Sequence, residues 1–153
     1  MYVELTATVP VAAPSDRVWE LLCDTSRYAE WVEDTDKVTR TDGPAKLFST
    51  YDELNPIVGP IKGRSHWVVI EFDPPRRQLH RDERLVTFEW LEVVMEVAPV
   101  GGGTEFTNTL RGETAMGPLG PIAWKALEGS LKKSHRRTSE NFAALVERET
   151  LAR

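Results

Sequence analysis

The chain has 153 residues, a formal net charge of -5 and a pI near 5.3. This length suits one domain, residues 1–153, that can bury a sizeable core. The acidic balance argues against a dedicated nucleic-acid-binding protein, which usually carries a basic excess. A basic cluster near the C-terminus shares a helix with apolar residues, so we interpret it as a solvated outer face, and contact with a membrane surface is the lesser alternative: Lys132, Lys133, Arg136 and Arg137.

The only cysteine, Cys23, rules out a disulfide within the chain and fits a reducing compartment. The first residues do not combine a basic segment with an apolar stretch of signal length. No apolar run approaches the roughly 18 residues that cross a bilayer. We therefore predict a cytoplasmic protein with no integral membrane association.

The first part of the chain predicts a strand followed by two short helices. β-branched alternation predicts a strand over residues 2–11, and Pro14 begins a helix. Residues 25–31 predict a second short helix that turns two aromatic side chains, Tyr28 and Trp31, inward. This pair of helices would close one end of a sheet.

The middle of the chain predicts strands that are separated by Gly- and Pro-rich turns. The predicted strands are residues 37–42, 48–54, 64–73, 78–84, 86–97 and 104–114. The connector at residues 55–63 is unusual, because it carries three branched aliphatic residues between two prolines and two glycines. We expect it either to cover the core or to line the mouth of a pocket, with the segment 116–121 as a second candidate for that mouth.

The strand over residues 86–97 changes the phase of its alternation. Its apolar residues occupy even positions first and odd positions later: Val86, Phe88, Trp90, Val93, Met95 and Val97. This change predicts a β-bulge near residues 91–92 that bends the sheet. A bent sheet can wrap around a helix.

The last element is a long helix from Pro121 to about Arg148, roughly 27 residues, with proline in its first turn. Its predicted inner face runs through Trp124, Leu127, Leu131, Ser134 or His135, Thr138, Phe142 and Leu145. Polar residues interrupt this apolar stripe midway. They would either meet polar groups on the sheet or face a ligand.

Several segments of the chain, in order, resemble the SRPBCC superfamily, which includes START lipid-transfer domains and polyketide cyclase/dehydrases. The matching segments are residues 9–24, 28–31, 71–76, 103–104 and 117–120. The resemblance implies an α+β helix-grip fold, in which a curved seven-stranded antiparallel sheet surrounds the C-terminal helix and two short helices follow the first strand. It also implies a cavity for lipids, polyketides or other hydrophobic molecules. The aromatase/cyclases that the chain resembles carry a pocket arginine on the strand before the turn at 73–75, whereas residues 67–72 contain none.

The inward positions of the strands and of the long helix give the expected ligand-binding residues: Trp67, Val69, Trp90, Met95, Phe106, Asn108, Trp124, Leu127, Leu131, His135 and Thr138. The tryptophan rings would form pocket walls or fill the core. His135 is the candidate general acid or base, and Asn108 could hold a carbonyl or enolate oxygen. Structural hydrogen bonds would explain both residues without catalysis.

No metal or cofactor is predicted, because His66, His80 and His135 lie on separate elements without ligand spacing. Three functions remain open. The preferred one is binding or carrying a hydrophobic small molecule of lipid or polyketide type, which is then the expected partner. The alternatives are a polyketide aromatase/cyclase-dehydratase and an interaction protein whose own side chains fill the cavity.

Overall fold

In the computed structural model, the described residues are 1–85 and 87–153, with Val58 described by its backbone alone. The described strands form one antiparallel sheet and are β1 (Tyr2–Val11), β2 (Lys37–Thr41), β3 (Thr50–Val58), β4 (Ile61–Asp73), β5 (Arg77–Asp82), β6 (Phe88–Val100) and β7 (Gly103–Thr114). The helices are α1 (Ser15–Cys23) and α2 (Gly120–Leu151), with 3₁₀ helices at Thr25–Glu30 and Gly117–Leu119. The strand order is β1-β7-β6-β5-β4-β3-β2.

Strict alternation makes β1 a half-buried strand over the predicted span. Its odd-numbered residues are buried on the inner face of the sheet, and its even-numbered residues are exposed. The antiparallel register with β7 places Leu5 opposite Leu110 and Val9 opposite Phe106, so apolar side chains meet on that face. The second predicted short helix is present as the 3₁₀ helix Thr25–Glu30, and it buries Tyr28.

The β6 bulge lies earlier than predicted. The register with β7 shifts between Phe88 and Trp90, so the bulge predicted for this strand is present but lies nearer the start of the strand than residues 91–92. Phe88 consequently packs against the core, whereas the ring of Trp90 lies 5.4 Å from the guanidinium carbon of Arg81, on the outer face. The predicted start of this strand at Val86 lies outside the described residues.

The connector at residues 55–63 is mostly strand. β3 and β4 continue to pair at Asn55 with Gly63 and at Pro56 with Lys62. Ile57 explains part of this extension, because its side chain lies over Gly63, where an added Cβ would come within 2.8 Å of it. The prediction of a loop over this whole segment is therefore wrong.

Helix α2 is buried mainly in its second half. It has 32 residues, and its buried positions beyond the first residue all lie in its second half: Thr138, Ser139, Phe142, Ala143, Leu145 and Val146. Residues 121–137 include no fully buried position, and here the predicted inner face meets the sheet through half-buried residues such as His135, whose Nε2 lies 2.8 Å from the backbone oxygen of Asn108. The ring of Phe142 lies 4.7 Å from that of Trp31 and 4.6 Å from that of Phe106, which fixes the second half of α2 to the sheet. Within the described chain, no helix combines the length and apolar character needed to cross a membrane.

Candidate functional site

A cavity of about 190 Å³ lies between the inner face of the sheet, the chain just after the first 3₁₀ helix, and α2. Its wall is largely apolar and includes Leu5, Tyr28, Trp31, Val32, Leu85, Leu91, Val93, Met95, Leu110 and Leu131. Polar side chains interrupt this wall at a few points: Asp34, Thr35, Glu53, Asn55, Asn108, His135 and Thr138. Such a wall suits an apolar ligand that is oriented by a few hydrogen bonds.

Part of the predicted ligand-binding set meets in this cavity: Trp67, Met95, Asn108, Leu131, His135 and Thr138. These residues come from β4, β6, β7 and α2. Inward alternation and helical spacing bring them to one place. Their role in binding stays a prediction.

The other predicted residues lie away from the cavity, for three different reasons. Val69 and Phe106 have no exposed surface and pack within the core. Trp90 turns to the outer face because of the bulge before it. Trp124 and Leu127 lie on the half of α2 that stands free of the sheet, and Leu127 is 51% exposed. Of the two segments proposed for the pocket mouth, residues 116–121 do not line the cavity, and among the described side chains of 55–63 only Asn55 does.

Sequence reasoning missed the contribution of β3, which places Tyr51, Glu53 and Asn55 on the inner face. Alternation was present in this strand, but two of the three inward residues are polar. The strand therefore lacked the apolar stripe by which an inner face is recognised.

Glu53 is a buried carboxyl group at one end of the cavity, with 4% of its surface exposed. Its Oε2 accepts hydrogen bonds from Trp67 Nε1 at 3.1 Å and from Ser65 Oγ and Asn55 Nδ2 at 3.4 Å each. Burial raises the pKa of Glu53 because the charged form loses its hydration, and these donors act in the opposite direction. The donors also hold the carboxyl group in one orientation.

A second set of buried polar side chains connects the cavity wall to the core through hydrogen bonds. Tyr51 donates its hydroxyl hydrogen to Nδ1 of His80 at 2.7 Å, and Nε2 of His80 donates to Oε1 of Gln78 at 2.8 Å. The amide oxygen can only accept, which fixes the tautomer of the imidazole. Complete burial lowers the pKa of His80 to about 3, so this ring is neutral near pH 7 and acts as a structural link.

His135 and Asn108 contact each other. Nε2 of His135 donates to the backbone oxygen of Asn108 at 2.8 Å, which links α2 to β7 across the edge of the cavity. Burial lowers the pKa of His135. A neutral imidazole whose Nε2 is committed to this carbonyl keeps Nδ1 as an acceptor, so the ring could accept a proton or a hydrogen bond there.

Two buried polar atoms on the cavity-lining residues have no hydrogen-bond partner among the described residues. They are Nε1 of Trp31, a donor, and Oδ1 of Asn108, an acceptor. Both side chains are 3% exposed. Buried polar atoms without partners are costly, so these two mark places where a ligand or water would be stabilised.

The family described as "Polyketide cyclase / dehydrase and lipid transport" matches residues 2–147, almost the whole chain. The chain belongs to this family. The predicted SRPBCC relationship and helix-grip fold are thereby confirmed for this polyketide cyclase/dehydrase family member. Among curated relatives, a protein named as a toxin in Mycobacterium tuberculosis strain H37Rv is 26% identical over 143 residues, covering 92% of this chain and 98% of the relative. An uncharacterized protein of the same strain is 28% identical over 147 residues, with 92% and 97% covered.

Solved structures show the same fold as this family member. The Zhui aromatase/cyclase of a Streptomyces species has a TM-score of 0.76 at 22% identity and covers 97% of this chain and 95% of its own. A Thermus thermophilus protein has a TM-score of 0.77 at 17% identity, with 94% and 97% covered. A di-domain aromatase/cyclase from steffimycin biosynthesis has a TM-score of 0.78 at 12% identity and covers 97% of this chain, but only 52% of its own. At these identities the likeness concerns the fold alone.

Proposed function

We propose that the protein binds or carries a hydrophobic small molecule of lipid or polyketide type in the cavity between the sheet and α2. The observation that carries this proposal is a largely apolar space of about 190 Å³ next to the unpacked half of a long helix. The family description, which names cyclases, dehydrases and lipid transport, supports a ligand of this kind. Binding would come mainly from apolar burial, at roughly 25 cal/mol per Å².

The cavity volume limits the size of the ligand. An apolar cavity of about 150 Å³ can hold benzene. A space of about 190 Å³ therefore suits a compact ligand of one or two rings. A longer ligand would require α2 to move outward, which would break the hydrogen bond from His135 Nε2 to the backbone oxygen of Asn108.

A polyketide aromatase/cyclase-dehydratase is the second candidate function. His135 and Asn108 favour it, because a neutral imidazole that can accept a proton at Nδ1 and an amide side chain that can donate to a carbonyl oxygen both line the cavity. Against it, no arginine or lysine is found among the described residues that line the cavity, so a developing enolate would lack a cationic partner. We therefore prefer the binding function.

A cavity filled by the protein's own side chains is less well supported, since Trp31 and Trp67 line an open volume.

Plugging the cavity should abolish binding of an apolar probe. Leu131 lines the cavity, whereas Leu127 lies off it on the same unpacked half of α2. We expect Leu131→Trp to weaken the affinity for naphthalene, a neutral fluorescent two-ring probe, by at least about tenfold, because the larger ring occupies the probe's volume. Leu127→Trp is the matched control and should leave the affinity within about twofold, since surface substitutions have small effects.

Probe titration measures both affinities, and native mass spectrometry of the freshly purified protein would identify a copurified ligand. Equal losses in the two variants would contradict binding in this cavity. A wild-type protein with no affinity for the probe would contradict the proposed function itself.

Replacing His135 by alanine separates the binding function from the cyclase function. For a carrier, we expect His135→Ala to change ligand affinity by no more than about fivefold, because one hydrogen bond contributes roughly 1 kcal/mol. For a cyclase, the same change should abolish turnover of a poly-β-keto substrate while binding persists. Product analysis by liquid chromatography, with Leu127→Ala as control, distinguishes the two. Wild-type turnover that is lost only in the His135 variant would overturn our preference.

A further inference from the structure

We infer that the ligand of this cavity is uncharged and carries a hydroxyl or similar group that both donates and accepts a hydrogen bond. The cavity would correspondingly reject carboxylates, including ionised fatty acids of matching size. This inference rests on the proposed function and narrows its ligand class. It follows from the charges and the unpartnered atoms around the same space.

The charges that surround the cavity disfavour an anionic ligand. The ionisable side chains that line the cavity are Asp34, Glu53 and His135, together with Tyr28 and Tyr51, and none of the described lining residues is a lysine or arginine. Burial lowers the pKa of His135, so at pH 7.5 the ring is mainly neutral: its Nε2 donates to the Asn108 carbonyl and its Nδ1 is an acceptor. A carboxylate brought into this space would lose its hydration without gaining a cation, which is strongly unfavourable.

The acidic residues that line the cavity would stabilise a cationic ligand only weakly. Glu53 is the buried carboxyl, and Trp67, Ser65 and Asn55 already donate to its Oε2. These donors occupy Oε2 alone, and burial raises the pKa of Glu53, which disfavours the charged form that would attract a cation. Asp34 is exposed and accepts from Ser134 Oγ at 3.3 Å, so its interaction with a bound cation would be weakened by solvent.

Two buried polar atoms of the cavity-lining residues lack hydrogen-bond partners among the described residues. Trp31 Nε1 is a donor without an acceptor, and Asn108 Oδ1 is an acceptor without a donor. Each residue lines the cavity and is more than nine-tenths buried. The rings of Trp31 and Phe106 both contact Phe142, and Phe106 lies two positions before Asn108 on the inner face of β7. Both residues belong to the cavity wall, so we place the ligand's hydroxyl between them, where it would accept from the indole and donate to the amide once small side-chain shifts expose the two buried atoms.

A matched series of two-ring probes tests the inference. Naphthalene, 2-naphthol, 2-naphthoate and 2-naphthylmethylamine share the apolar body and differ in one polar group. Isothermal titration calorimetry at pH 7.5 should give 2-naphthol the tightest binding, naphthalene weaker by about fivefold for the missing hydrogen bonds, and 2-naphthoate weaker than 2-naphthol by at least about thirtyfold. The amine should bind no more tightly than 2-naphthol.

Two pairs of variants make the test specific to this cavity. Asn108→Leu removes the unpartnered amide oxygen. It should reduce the preference for 2-naphthol over naphthalene, while the affinity for naphthalene stays unchanged. Trp31→Phe removes the unpartnered donor and serves as an independent second variant. Leu131→Arg places a cation at the cavity wall and should raise the affinity for 2-naphthoate by about tenfold. Leu127→Arg, off the cavity on the same helix half, should leave that affinity unchanged.

The outcomes separate this inference from the proposed function. If naphthalene binds in the cavity and 2-naphthoate binds as tightly as 2-naphthol, the inference is overturned and the proposed function still stands. Tighter binding of the amine than of 2-naphthol, or no preference for 2-naphthol over naphthalene, would overturn it as well. Failure of naphthalene and every other probe to bind would overturn both.

Discussion

Acidification from pH 7 to about pH 4 should cost the protein about 3 kcal/mol of stability through His80 alone. The pKa of this imidazole is about 3 in the folded protein, against an ordinary value of 6.5. Below pH 6.5 the unfolded chain takes up a proton that the folded protein does not bind until near pH 3. The unfolded state is therefore favoured progressively as the pH falls through that window.

Urea unfolding at a series of pH values, with wild type and His80→Gln compared, measures this contribution. At pH 7 the variant should be less stable by about 1–3 kcal/mol, because the hydroxyl of Tyr51 and the amide of Gln78 lose well-placed partners. The wild type should lose this advantage as the pH falls toward 4. Parallel stability curves for the two proteins would show that His80 is not responsible.

The comparison with a variant is necessary because buried carboxyl groups act in the opposite direction. Burial raises the pKa values of Glu53 and Asp82, so each destabilises the fold where it must ionise, and that penalty is relieved as the pH falls through the raised pKa. These contributions are present in both proteins and cancel in the difference. The wild-type curve alone would underestimate the contribution of His80.

Phe142→Ala should destabilise the protein by about 3–5 kcal/mol, as expected when a fully buried aromatic ring is removed and a cavity is left. Phe142 has no exposed surface and contacts the rings of Trp31 and Phe106. These contacts attach the packed half of α2 to the sheet beside the ligand cavity. The free energy of unfolding from chemical denaturation measures the loss.

Phe48→Ala is the matched control, since the same side-chain atoms are removed from a position that is 70% exposed. We expect it to change stability by no more than about 0.5 kcal/mol. Similar losses for Phe142→Ala and Phe48→Ala would mean that the contacts between α2 and the sheet contribute little. The difference between the two variants therefore measures how firmly α2 is attached.

The candidate site was predictable where the inner face of an element is marked by alternation. Met95 and Asn108 follow the alternation of β6 and β7, and both line the cavity. Glu53 was not predictable, because a charged residue at an alternating position is normally placed on the solvent side. Its inward orientation follows from the register of β3 against β4, which places it opposite Ser65 on the inner face.

The sequence by itself determined the elements and their apolar sides. Alternation over Tyr2–Val11 and helical spacing in the last part of the chain are local patterns, so β1 and α2 could be read without knowing their neighbours. Tertiary structure decided which of those sides are covered. The second half of α2 meets Trp31 and Phe106, whereas Leu127 in its first half stays exposed although it continues the same stripe. Burial depends on the surface that lies opposite, and the cavity lies where the first half of the helix approaches the sheet without packing closely against it.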